Sequence, residues 1–279
     1  KSGNAVILRG SSYCLDSNIA ILEVLQNSLI LNNCNKNIFQ IIESKDRQDT
    51  IEFMNLTEFV DLIVPRGGKG LIQTLVDNSK VPFILDGDGN VHLYIHEDAR
   101  KENIIDIVIN SKVQRPGVCN ALETLLINIE IYQDMGSQII EELLENDVEL
   151  FVDEKIKEDY PKLNLANNLH YETEFLELKL AVKVVENDIQ AIEHIRNYSS
   201  GHTEAILTES KEVADNFAKS IDSSVIFINS STRFTDGEMF GFGSEIGIST
   251  QKLHVRGPMG LEALTNERYV VTGEGTVRK

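Results

Sequence analysis

The stretch that decides the fold is residues 178–228, LKLAVKVVENDIQAIEHIRNYSSGHTEAILTESKEVADNFAKSIDSSVIFI. Its apolar residues change period repeatedly. Leu178–Val185 is a near-continuous apolar run of strand length, and Asp188–Tyr198 has helical spacing. Glu204–Leu207 is a second strand, Lys211–Ile221 a second helix and Val225–Ile228 a third strand. Strands that alternate with helices, and that are apolar along their whole length, predict a parallel α/β sheet covered on both faces.

The same grammar extends toward the N-terminus. Strands are predicted at Ala5–Leu8, Ile38–Ile42, Leu62–Val64, Val81–Leu85, Val91–Ile95, Thr124–Ile131 and Glu149–Val152. Helices are predicted from Asp16, as N-cap, through Ile30, from Gly67-Gly68 to Asn78, over Ala99–Ser111 and over Ser137–Leu144. Lys112–Asn120 reads as a polar loop, Asn229–Gly260 as a long Gly/Ser/Thr-rich loop of the kind that carries function, and Tyr269–Thr272 as a last strand.

The chain has 279 residues, 42% hydrophobic and 25% charged, which is globular composition. With 26 Lys+Arg against 44 Asp+Glu its net charge is −18, which argues against binding nucleic acid or an anionic membrane. No uninterrupted apolar run reaches membrane-spanning length, so a soluble protein is expected. Cys14, Cys34 and Cys119 are odd in number and widely spaced; they suit a reducing cytoplasm rather than a disulfide framework. Cys14 and Cys34 read as structural.

Cys119 stands in Arg115-Pro116-Gly117-Val118-Cys119-Asn120-Ala121 with Lys112 and Arg115 on its N-terminal side. Cations and backbone N–H groups favour a thiolate nucleophile, although a lone Cys also serves as a small buried hydrophobe. Gly67-Gly68-Lys69-Gly70 fits either a phosphate-facing turn or a plain strand-to-helix turn. Ser230-Ser231-Thr232-Arg233 suits a phosphate or carboxylate as well as an ordinary turn. Asp86, Asp88, Asn90 and Glu97 imitate a calcium loop, but Val91 stands where glycine is needed. His92, His96, His170, His194, His202 and His254 have no metal-ligand spacing, so no metal is expected. The acidic run Glu141–Asp159 reads as a solvated face.

Seven stretches together resemble one family: KSGNAVILRG (1–10), VPRGG (64–68), QRPGVCNALETLL (114–126), GHTEAILT (201–208), NSSTRFTDG (229–237), FGFGSEIGIST (240–250) and HVRGPMGL (254–261). Their order and content are similar to the γ-glutamyl phosphate reductases, a branch of the aldehyde dehydrogenase superfamily. The resemblance implies two parallel α/β domains: the remainder of an NADP-binding domain at 1–101, a catalytic domain at 102–256, and a C-terminal helix and oligomerisation strand at 257–279. The start of the cofactor domain is expected to lie outside this sequence.

The resemblance further implies NADPH-dependent reduction of γ-glutamyl phosphate to glutamate 5-semialdehyde through a Cys119 thioester, in the cytoplasm and in a homo-oligomer. Leu85-Asp86-Gly87-Asp88-Gly89 stands where oxidising members have E-L-G-G; it lacks the water-activating Glu and so favours reduction, and no role is assigned to Asp86. Arg9 replaces the superfamily's ribose-contacting Lys, and Ser12 stands where NAD-preferring members carry Glu. Both favour a 2′-phosphate. Gly10, Gly67, Gly68 and Glu174 are implied around the cofactor. Arg115, Asn120, Asn229, Ser231, Thr232, Arg233 and Arg256 are implied around the substrate, with the arginines as candidates for the leaving phosphate. A bifunctional kinase–reductase and an aldehyde dehydrogenase of other specificity are the alternative readings.

Overall fold

The computed structural model describes residues 2–278 and divides them into two compact units, 2–83 with 261–278, and 84–260. Lys1, which opens the first family-like stretch, lies outside the described residues.

In the first unit, β1 (Val6–Leu8) is followed by α1 (Leu15–Leu31), β2 (Phe39–Ile41), α2 (Arg47–Phe53) and α3 (Lys69–Asn78). β1 and β2 pair in parallel. α1 lies against β2: Leu22 is buried, and Gln26 Nε2 donates to the Phe39 carbonyl at 2.8 Å. Asp16 is not the cap. Cys14 occupies the N-cap without a side-chain hydrogen bond, and Ser11 caps the preceding 3-10 turn while Asp16 sits in the first helical turn. Val6, Ile7 and Leu8 are 36–42% exposed, against the expected burial, because a two-stranded ladder covers few side chains. The strands expected at Leu62–Val64 and Val81–Leu85 reduce to one parallel bridge, Ile63 to Phe83. Cys14 and Cys34 are exposed, so neither fills a core. Residues 12–31 have the length and apolar composition of a membrane span, although Asp16, Glu23 and Gln26 interrupt them.

The second unit runs β3 (Val91–Ile95), α4 (Lys101–Val113), β4 (Leu122–Asn128), α5 (Ile129–Glu145), β5 (Glu149–Val152), α6 (Glu154–Asp159), β6 (Asn164–Leu165), α7 (Asn168–Glu172), β7 (Lys179–Val185), α8 (Asp188–Tyr198), β8 (Thr203–Leu207), α9 (Lys211–Ser220) and β9 (Val225–Ile228). These strands form one parallel sheet in the order β6-β5-β7-β4-β3-β8-β9. β10 (Ile248–Ser249) and β11 (Gly257–Pro258) add a short antiparallel pair. Alternate strand residues face two cores. Leu93, Leu125, Val182 and Ala205 meet α4 and α5, while Tyr94, Leu126 and Ile206 meet α8 and α9.

The observed units shift the expected boundaries. β3, placed before the 101/102 boundary, is the strand between β4 and β8, because parallel strands pair by crossover rather than by sequence order. Lys112 belongs to α4 and not to the loop that follows. α5 begins at Ile129, where the Asn128 side chain accepts from the Glu130 N–H and ends the strand. The C-terminal helix is a single 3-10 turn, Glu262–Leu264. Residues 269–272 form no strand within the chain, and Tyr269, Val270 and Val271 are 78–91% exposed.

Candidate active site

Cys119 lies in a tight turn between α4 and β4, closed by the Ala121 N–H donating to the Val118 carbonyl at 3.0 Å. The turn sits at the N-terminal end of β4. The neighbouring strands β3 and β7 bring two more segments to the same edge, residues 86–90 and 173–178. Gly89 rests directly on the cysteine backbone: a Cβ there would fall 1.6 Å from the Cys119 carbonyl oxygen. Only a residue without a side chain permits that approach. The Gly89 N–H donates to Glu174 Oε1 at 2.7 Å. Asp86 accepts from the Ile248 N–H at 2.8 Å, which holds the 86–90 segment to the 240–250 loop.

On its other side the cysteine turn is fastened to the Ser231–Thr235 loop. Asn120 Nδ2 donates to the Thr235 carbonyl at 2.8 Å, and Thr232 Oγ1 donates to the Asn120 carbonyl at 2.7 Å. Arg233 donates from its terminal guanidinium nitrogen to Asn120 Oδ1 and from Nε to Gln114 Oε1. Ser111 Oγ, in α4, donates to Ser231 Oγ at 3.2 Å. Asn120, Ser231 and Thr232 are buried, so their first work is to seat the turn and the Arg233 guanidinium.

The electrostatics correct the expected thiolate. Burial first, and then the carboxylates of Asp86, Glu174 and Glu245, together push the Cys119 thiol up to about 12. Lys112 does not offset them: its ammonium is wholly buried on Glu123, Nζ to Oε2 2.9 Å. The opposing charge comes from Arg233, whose own basicity is lowered by burial and by the nearby Arg115. One guanidinium, that of Arg233, therefore faces the thiol, and the solvent-exposed Arg115 acts on Arg233.

Two expected substrate positions, Asn229 and Arg256, are engaged elsewhere. Asn229 lies at the opposite, C-terminal edge of the parallel sheet, where its amide bridges the Thr208 N–H and carbonyl at 2.8 and 2.7 Å. Arg256 is committed to Asp222, with bonds of 2.8 and 2.7 Å to the side chain and carbonyl. Glu174, expected at the cofactor ribose, accepts from the Gly89 N–H through Oε1 and so stands beside the cysteine turn. Reading of the sequence assigned no role to Asp86, Glu245 or Glu123, and offered Lys112 only as a cation beside Cys119. The local signal was charge beside glycine for Asp86 and charge inside an apolar strand for Glu123.

In the other unit, Arg9 is exposed after β1, and Ser12 lies in the 3-10 turn that leads into the 17-residue α1. Gly10 lies so close to Asn18 that a Cβ would meet Asn18 Nδ2 at 2.1 Å. Gly68 is the N-cap of α3, and Gly67 packs on Leu71. Among the described residues, no group of three or more His, Cys, Asp or Glu side chains is arranged to hold a metal ion.

No family model matches the sequence. Curated relatives do. γ-Glutamyl phosphate reductase from Thermoanaerobacter pseudethanolicus is 48% identical over 279 residues, all of this chain and 67% of the relative. The crystal structure of γ-glutamyl phosphate reductase from Thermotoga maritima superposes with a TM-score of 0.95 at 44% identity, covering 99% of this chain and 67% of that one. An acetylating aldehyde dehydrogenase from Geobacillus thermoglucosidasius, at 17% identity and a TM-score of 0.74, shares the fold. The fold is thus aldehyde-dehydrogenase-like, and the chain belongs to the γ-glutamyl phosphate reductase family.

Proposed function

We propose that the chain reduces γ-glutamyl phosphate to glutamate 5-semialdehyde and phosphate, a step of proline biosynthesis, with Cys119 as nucleophile. The observation that carries this reading is the Cys119 turn, clamped by Gly89 and faced by the guanidinium of Arg233, with Arg115 close to Arg233.

The Cys119 sulfur attacks the acyl carbon as its proton passes to a neighbouring carboxylate; Asp86 and Glu174 are the two with the strongest influence on the thiol. The Cys119 backbone N–H faces its own sulfur and so stands where an oxyanion develops. Phosphate leaves with the C–O bonding pair, its charge met by Arg115 and Arg233, whose planar donors match phosphate oxygens. A thioester on Cys119 remains. NADPH, when bound, supplies the hydride for the acyl carbon. The thiohemiacetal then expels the Cys119 thiolate and releases the aldehyde.

Arg9 and Ser12 fit the cofactor by their chemistry. An exposed guanidinium and a hydroxyl lie just before the positive end of a long helix, which suits a 2′-phosphate. Gly10, Gly67 and Gly68 would let backbone approach the rest of it. The three unpaired thiols support a reducing cytoplasmic setting, and the exposed Tyr269-Val270-Val271 segment supports assembly into a homo-oligomer.

The test uses the full-length enzyme in the reverse direction, following phosphate-dependent reduction of NADP⁺ by glutamate 5-semialdehyde. Cys119→Ala is expected to lower kcat by at least about 10³-fold. A variant that turns over at near wild-type rate sinks the mechanism.

A further inference from the structure

The reaction just described makes no use of Lys112 and Glu123, yet they form an ion pair with no exposed side-chain surface. Such pairs are costly to bury, and apolar residues of similar volume often replace them without loss of stability. The location of this one is informative. Lys112 lies in the last turn of α4 and Glu123 is the second residue of β4, so the pair clasps the base of the loop that carries Cys119.

The second oxygen of Glu123 looks the other way. It accepts from the Leu176 N–H at 3.2 Å, and the Phe175 backbone also bonds to this carboxylate. Leu176 has a φ of 55°, a left-handed conformation that a branched side chain rarely adopts. The chain bends there to present its N–H groups to Glu123. Two residues before Leu176, Glu174 holds the Gly89 N–H, and Gly89 presses on the Cys119 carbonyl. The contacts thus close a ring that leaves the base of the cysteine loop and returns to the cysteine.

Resting on the reading of Cys119 as the nucleophile, we propose that Lys112 and Glu123 are positioning residues: through Phe175–Leu176, Glu174 and Gly89 they set where the Cys119 turn stands for attack. Neither touches substrate. An apolar pair would join α4 to β4 equally well, but it would offer no acceptor to residues 175 and 176.

The experiment uses the full-length enzyme with Cys14→Ser and Cys34→Ser, and iodoacetamide labelling of Cys119 is followed on its own proteolytic peptide by mass spectrometry. Variants Lys112→Met/Glu123→Leu and Lys112→Met/Glu123→Gln are compared for melting, kcat, KM and the pH dependence of alkylation. Asp86, Glu174, Glu245 and Arg233, which also face the thiol, are retained in both. The Leu variant is expected to melt cooperatively with kcat lowered at least about tenfold, KM within about twofold, and a displaced alkylation profile. The Gln variant, which keeps an acceptor for Leu176, is expected to recover kcat to within about threefold. If the Leu variant fails to fold, Glu123→Asp serves with the same readouts, and a shifted profile with unchanged melting supports the proposal. Wild-type kcat and an unshifted profile in a folded Leu or Asp variant overturn it. Should Cys119→Ala retain turnover, the nucleophile reading falls, while the alkylation profiles still decide whether Glu123 is coupled to Cys119.

Discussion

Every residue of β3, β4 and β8 is buried in the unit of residues 84–260, whereas every residue of β1 in the other unit is at least 36% exposed. The unit of residues 84–260 has seven parallel strands with helices on both faces; the other unit has a two-stranded ladder. The difference shows where each kind of work is placed. A nucleophile that must be held to a fraction of an ångström stands on loops rooted in the fully packed sheet. The proposed dinucleotide contacts, Arg9 and Ser12, are exposed groups beside a helix end, where charge and hydroxyl chemistry need less packing.

Substitutions can break that division or sharpen it. After loss of Cys119 itself, the largest effect is expected from Gly89→Ala, because its Cβ would fall inside the Cys119 carbonyl. The turn must move, and kcat should drop about 10²-fold while the NADP⁺ affinity of the full-length enzyme is kept. Equal losses in both would blur the division between the units.

Arg9→Glu is the mirror experiment. Removing one charged contact to a 2′-phosphate should lower the preference for NADP⁺ over NAD⁺ about 30-fold, read from kcat/KM for the two cofactors. The Cys119 alkylation rate should not change. An unaltered preference would reject the assignment of Arg9.

All six histidines lie within 84–260, and burial lowers His202 to about 4 and His194 to about 2. Below about pH 6.5 the unfolded chain takes up protons that these folded imidazoles refuse, so stability is present at neutral pH and lost as pH falls toward 4. His202 alone should cost roughly 2 kcal/mol at pH 5 relative to pH 7. Comparison of urea midpoints for wild type and His202→Gln at the two pH values measures it; an identical acid loss in both proteins would remove His202 from the account.

The smallest effect is expected from Asp86→Asn. It removes one of the negative charges that raise the thiol, so alkylation of Cys119 near pH 8 should accelerate, by about tenfold at most. A slower reaction would show that Asp86 serves the thiol as proton acceptor more than it opposes ionisation.

Much of the fold was legible because its signals are local. Asp188–Tyr198 and Val225–Ile228 form the elements expected of them, since a few residues of apolar periodicity suffice. Elements read from short apolar runs without a partner were less secure. Leu62–Val64 and Val81–Leu85 carry strand composition but form a single bridge, because a strand exists only where another pairs with it. Tyr269–Thr272 is the same case at the other end of the chain.

What the sequence determined by itself was the alternation of apolar periods, the acidic balance of −18 and the place of a cysteine in a Pro-Gly turn between helix and strand. Tertiary structure decided the state of that cysteine. Lys112, near in sequence, is spent on Glu123; Asp86, Glu174 and Glu245, far in sequence, raise the thiol; and Asn229, a neighbour of Ser231 along the chain, stands at the opposite edge of the sheet. The reason is that hydrophobic periodicity is written along a backbone, whereas desolvation and charge act through space, and space is assigned only when the strands have paired.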